Sequence, residues 1–169
     1  MATKSGVRAI IVLLLAAALA PAAALARETI GIYKGWGAFR DPGSQARCFA
    51  IARPVVAGGQ PRWQPFASVA DWPARGLASS LHVRLSRERD RSAGVTLTIG
   101  ERRFGLVAGG VDAWAVDGPS DLAIIAAMRG ARSMSVEAVA RGGRPFADTY
   151  ALAGAATAID AAALACKRG

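Results

Sequence analysis

The chain has 169 residues, 53% of them apolar, and carries 21 Lys and Arg against 12 Asp and Glu, for a formal net charge of +9. That length suits one domain with a real core. The only thiol and imidazole ligands are Cys48, Cys166 and His82, which lack the spacing of a metal centre, and nothing in the sequence asks for a cofactor.

Residues 1–26 read as a secretory signal peptide. Lys4 and Arg8 form a positive start, Ala9 to Ala20 an unbroken apolar run, and Ala24-Leu25-Ala26 an A-x-A-like cleavage site after Pro21. The run is short for a bilayer span, which needs about 20 apolar residues. Cleavage would leave a domain over 27–169 that is not an integral membrane protein, working in the periplasm or secreted. The remainder stays basic, because only Lys4 and Arg8 are lost. Its excess charge favours anionic surfaces such as lipid headgroups, lipopolysaccharide or acidic glycans. Export argues against nucleic acid as the partner. Two cysteines in an oxidising compartment predict a Cys48–Cys166 disulfide.

Taken in chain order, 28–39 predicts a strand with a bulge at Gly35 or Gly37. Residues 46–53 predict a second, with Phe49 and Ile51 on one face and Cys48, Ala50 and Ala52 on the other. Four prolines over 54–78 predict a long loop without strands, with Trp63, Phe66 and Trp72 tucked onto the domain. Alternating segments at 79–86, 94–99 and 102–108, then a short one at 111–116, predict an antiparallel meander. Gly118-Pro119-Ser120-Asp121 opens a helix with Leu122, Ile125 and Met128 as its buried stripe and Arg129-Gly130 at its end. Strands at 132–140 and 144–152 flank a Gly142-Gly143 turn. An Ala-rich helix from Gly154 to about Cys166 should press Ile159, Ala163 and Cys166 onto the Cys48/Ala50/Ala52 face. The fold class is mainly β: an antiparallel, sandwich-like domain with two short helices, one before the last hairpin and one at the end of the chain.

Catalytic signals are thin. His82 alternates outward on its strand beside Arg84, and no G-x-S-x-G elbow accompanies it. The acids Glu101, Asp112, Asp117, Asp148 and Asp160 fall on turns, caps or outward strand positions. Asp112 and Asp117 flank Trp114, an arrangement that can bind sugars or simply end a solvated loop. Arg84, Arg87, Arg89, Arg91, Arg102 and Arg103 fall on two apparent hairpins. They form either a patch for an anionic partner or an edge blunted with charge against aggregation. Trp63, Phe66 and Trp72 are either recognition aromatics or pins for a long loop.

Several segments together carry a family resemblance: Gly35-Trp36; Arg47-Cys48-Phe49-Ala50-Ile51; Asp121-Leu122-Ala123-Ile124-Ile125 with Met128; Ser133-Met134-Ser135-Val136-Glu137; and Tyr150-Ala151-Leu152-Ala153-Gly154-Ala155-Ala156 with Ala158. The chain resembles the invasion-associated locus B family of exported proteobacterial proteins. It departs from the pattern at Arg40 and Trp114, in regions where family members tend to carry further cysteines. It also lacks the aromatic that often follows the closing glycine. The resemblance implies an exported, β-rich, non-enzymatic domain and supplies no catalytic residues. The expected function is an interaction module for an anionic envelope component or a protein. The alternatives are an inhibitor of an envelope hydrolase, presented by the Pro-rich loop, or a small envelope hydrolase using His82 and carboxylates.

Overall fold

Lys34-Gly35 divides the first β segment in two. Lys34 adopts φ 57°, and the turn folds β1 (Glu28–Tyr33) back on β2 (Trp36–Asp41). The expected single strand over 28–39 is therefore a hairpin, and its irregularity lies between Thr29 and Gly31 rather than at Gly35 or Gly37. The computed structural model describes residues 26–167. Residues 1–25 of the expected leader lie outside the described residues.

The chain continues through β3 (Arg47–Ala52), β4 (Phe66–Trp72), a 3-10 turn at Pro73–Arg75, β5 (Leu77–Arg84), β6 (Val95–Ile99), β7 (Arg102–Gly109) and β8 (Asp112–Trp114). Then come α1 (Gly118–Gly130), β9 (Ser133–Val139), β10 (Pro145–Ala151) and α2 (Ala155–Lys167). All strand pairs are antiparallel. The ten strands form one hydrogen-bonded order, β1-β2-β3-β4-β5-β8-β7-β6-β9-β10. The ladder passes from one half to the other through β7, whose Arg102–Leu106 stretch pairs with β6 and whose Val107–Gly109 stretch pairs with β8. A sandwich-like shape is compatible with this order, and the described residues are mainly β with two α-helices, as the sequence predicts.

The supposed strand-free stretch 54–78 contains β4, because Pro65 and Pro73 bracket the strand rather than interrupt it. The meander is reordered: β5 pairs with β8, so the charged segment 87–91 crosses between the halves instead of turning a hairpin. The Pro-rich connector has a structural task. Val55 and Val56 donate backbone N–H groups to Thr149 O, and Thr149 N–H donates to Val56 O, so the connector covers the free edge of β10.

The core forms where alternation points inward. Trp36 and Ala38, Cys48 and Ala50, Ala67 and Val69, Leu81 and Val83, Leu97 and Val136 are all buried in one cluster. α2 lays Ala155, Ala158, Ile159 and Ala162 on the small Cys48/Ala50/Ala52 face. Cys166 and Cys48 are joined by a disulfide with their Cα atoms 5.7 Å apart. Ala163, expected on the packed side, is only partly buried, and Ala162 takes its place. In α1, Asp117 caps the N-terminus through Ser120 N–H at 2.8 Å. Its buried stripe is Asp121, Ile124, Ile125 and Met128, whereas Leu122 is exposed. The helix is turned because the Asp121 carboxylate accepts the Leu81 N–H at 2.7 Å and so faces β5. No helix among the described residues is long and apolar enough to cross a membrane.

Candidate functional site

In an antiparallel sheet, directly paired residues share a face. The face opposite α2 therefore presents a row across seven strands: Ile32, Gly37, Ile51, Ser68, His82, Trp114 and Val107. Beside it run Phe39, Phe49, Ala70 and Ser80, and on the other side Phe66, Arg84 and Asp112. Among the described residues, no element covers this face as α2 covers the other. Small residues at Ser68, Ala70 and Ser80 leave a hollow of about 550 Å³ between taller neighbours.

One wall is a stack of alternating cations and rings. The Arg27 guanidinium lies 4.9 Å from the Phe49 centroid, and Arg47 lies 4.7 Å from Phe49 and 5.5 Å from Trp72. Arg75 closes the series 3.9 Å from Trp72. Asp41 neutralises two of these cations, accepting from Arg27 at 2.6 Å and Arg47 at 2.9 Å. The hydrogen bond from Arg27, with help from Arg47, holds the Asp41 carboxyl below its ordinary range despite partial burial. Arg75 makes no ion pair among the described residues, so its N–H groups are free for an incoming anion.

The other wall is built around His82. Its ring stacks on Trp114 at 5.2 Å and meets Phe66 edge-on at 5.0 Å. Its Nε2 lies 2.8 Å from Asp112 Oδ1, which also accepts from Arg84 Nε at 3.0 Å. Burial opposes ionisation of Asp112, but the hydrogen bonds from Arg84 and His82 outweigh it, and the carboxyl lies below its ordinary range. His82 is thus not the bare outward residue its alternation suggests. The hydroxyl of Ser68, paired with His82 across the strands, donates to the His82 backbone carbonyl at 3.4 Å rather than to the ring. The arrangement offers cationic, aromatic and hydroxyl contacts in one trough.

The other sequence-predicted residues are dispersed. Of the six arginines, only Arg84 lies on this face. Arg87 donates to Gly58 O. Arg89 holds the 90–93 turn and β7 through Asp90, Arg91, Ala93 and Ala108 carbonyls. Arg91 lines a separate hollow with Glu88 and Arg141. Arg102 lies over Phe104, and Arg103 pairs with Glu137 at 3.5 Å. Arg87, Arg89 and Arg91 lie on the segment that crosses between the halves, and Arg102 and Arg103 at the end of β7 that pairs with β6, so the six do not sit on two adjacent hairpins. Phe66 and Trp72 line the trough, but from β4 and not from a loop. Trp63 sits elsewhere, its Nε1 donating to Leu85 O at 2.8 Å and pinning the connector. Asp148 faces inward and is fully buried, against the expected outward position. Asp160 pairs with Arg129, and Asp117 caps α1. Among the described residues no group of His, Cys, Asp and Glu is placed to hold a metal ion. Arg27, Arg47, Arg75 and Trp114 were not singled out from sequence as one site; Trp114 beside Asp112 was the available signal.

With that geometry in place, the structure is similar to the crystal structure of invasion-associated protein B from Bartonella henselae. The likeness covers 83% of this chain and 99% of that one, at 16% identity and a TM-score of 0.57. The two chains share a fold. The resemblance read from the sequence therefore has a structural counterpart in invasion-associated protein B. No family profile and no curated protein matches the sequence.

Proposed function

We propose that the chain is an exported, non-enzymatic interaction module of the invasion-associated locus B type, acting in the periplasm or secreted. It binds an anionic envelope component or a protein through the open sheet face. The observation that carries this reading is the Arg27–Phe49–Arg47–Trp72–Arg75 stack beside Arg84, Phe66 and Trp114. Stacked guanidiniums keep their donors in fixed orientation, which suits planar or phosphate-like anions. The test is titration of the purified chain with lipopolysaccharide, soluble peptidoglycan fragments and anionic vesicles. Arg75→Glu and Trp114→Ala should each weaken binding about tenfold or more with the circular dichroism spectrum unchanged. No binding to any of the three, and no protein recovered from envelope extracts, would sink the proposal.

The His82–Asp112 contact favours one competing reading, a small envelope hydrolase. That reading requires a nucleophile at the free side of the ring, and Ser68 turns to the backbone instead. Turnover of peptidoglycan or ester substrates that disappears in Asp112→Asn would establish it. The inhibitor alternative has less support, since Val55, Val56 and Trp63 tie the Pro-rich connector to the domain.

A further inference from the structure

A second hollow, of about 740 Å³, adjoins the arginine–aromatic trough, and Ile51, Phe66 and Arg84 line both. Its character differs. Ile32 on β1 and Val55 on the connector stand at its rim, each 65% exposed. Ile32 lies opposite Gly37, where a Cβ would meet the Phe39 ring at 2.5 Å and Ile32 Cδ1 at 3.1 Å. The missing side chain lets the Ile32 and Phe39 side chains close over the strand as one apolar surface. Lys34, at the β1–β2 turn, and Arg53, at the end of β3, flank it, and neither makes an ion pair among the described residues.

Two exposed aliphatic side chains on an apolar hollow, flanked by two cations without ion-pair partners among the described residues, make a rim that complements a surface both apolar and anionic. We propose that this rim seats the protein on an anionic lipid bilayer. Ile32 and Val55 enter the boundary of the acyl region, and Lys34 and Arg53 meet lipid phosphates. The inference rests on the reading of the sheet face as a binding surface and names lipid as its target. A glycan would leave Ile32 and Val55 without apolar contact. Protein interfaces centre on aromatic or arginine anchors in closed pockets, whereas these aliphatics protrude from the edge strand β1 and the connector.

The experiment is co-sedimentation of the chain, purified after export in a bacterial host, with vesicles of phosphatidylglycerol and phosphatidylcholine and with pure phosphatidylcholine vesicles. Binding is expected to the anionic vesicles only. Ile32→Glu with Val55→Glu, and separately Lys34→Glu with Arg53→Glu, should each lower partitioning about tenfold or more. Ile32→Ser with Val55→Ser, a milder pair, should lower it in the same direction and serves if the glutamate pair does not fold. Folded variants that bind vesicles as well as the parent overturn the inference. If vesicle binding is absent while soluble glycan fragments still bind in an Arg75-dependent way, lipid is excluded and the function proposed above stands. If neither binds and no protein partner is recovered from envelope extracts, both fall.

Discussion

The buried carboxylate of Asp148 on β10 accepts both the backbone N–H and the hydroxyl of Ser86, a residue 62 positions earlier in the chain. Its Oδ1 also accepts the Gly58 N–H at 2.8 Å. One side chain thus satisfies donors from the end of β5 and from the connector, inside the core, where an unpaired donor costs about 1–3 kcal/mol.

Asp148→Ala should therefore destabilise the chain by about 3 kcal/mol in urea unfolding, since three donors lose their acceptor together. Amide hydrogen exchange should also quicken over 55–58, where the connector caps β10. An effect confined to global stability, with no local change there, would contradict the clamp.

Removing the Cys48–Cys166 bond should cost up to about 5 kcal/mol in the chain-entropy model for a closed loop of this length. The separation is 118 residues. Urea midpoints of Cys48→Ala with Cys166→Ala against the parent measure it. A loss well under 1 kcal/mol would mean that α2 already holds its place by packing alone.

Gly154 adopts φ 89°, and a Cβ on it would stand 2.0 Å from the Tyr33 carbonyl oxygen. Backbone cannot yield as a flexible side chain does, so Gly154→Ala combines left-handed strain with a clash. A loss of about 3 kcal/mol is expected, read as a fall in thermal midpoint, with α2 shifted from β1.

The acids divide by sign. Asp41, Asp112 and Asp160 have folded carboxyls below their ordinary range through their arginine partners, with His82 also acting on Asp112. Their stabilisation is present above the unfolded carboxylate range and is lost as pH falls through the folded values. Asp121 runs the other way, because burial raises it against the hydrogen bond from Leu81. Its contribution is full at acid pH and is lost as pH rises from the unfolded value through the raised one. Asp121→Asn keeps an oxygen for the Leu81 N–H and removes the buried charge. At neutral pH it should be at least as stable as the parent, with the gap closing towards acid in a pH series of urea melts.

Strands β5, β6 and β9 were legible because each has one buried face, and alternation marks it residue by residue. β4 was not, because prolines counted across 54–78 hid a run, Phe66–Trp72, that contains none. β10 was read from the Gly142-Gly143 turn as a hairpin partner, and its own alternation, which puts Asp148 inward between Phe146 and Tyr150, was not used to place that acid. Asp121 misled in the same way: assigned to the helix dipole, it left Leu122 to fill a stripe that the carboxylate itself occupies. The trough was beyond sequence reasoning, since its stacked wall joins Arg27, Phe49, Arg47, Trp72 and Arg75 from different elements. Only the register of β3 on β4 brings Arg47 to Trp72.

β7 belongs to both halves of the sheet, pairing with β6 along its first five residues and with β8 along its last three. A shared strand leaves no seam along which either half could come apart by itself. Peeling away β6, β9 and β10 would strip the partner from the same chain segment that supports β8 and, through β8, the wall carrying Trp114 and His82. Damage at the far hairpin should reach the trough as a loss of the whole folded state, not as a local loosening.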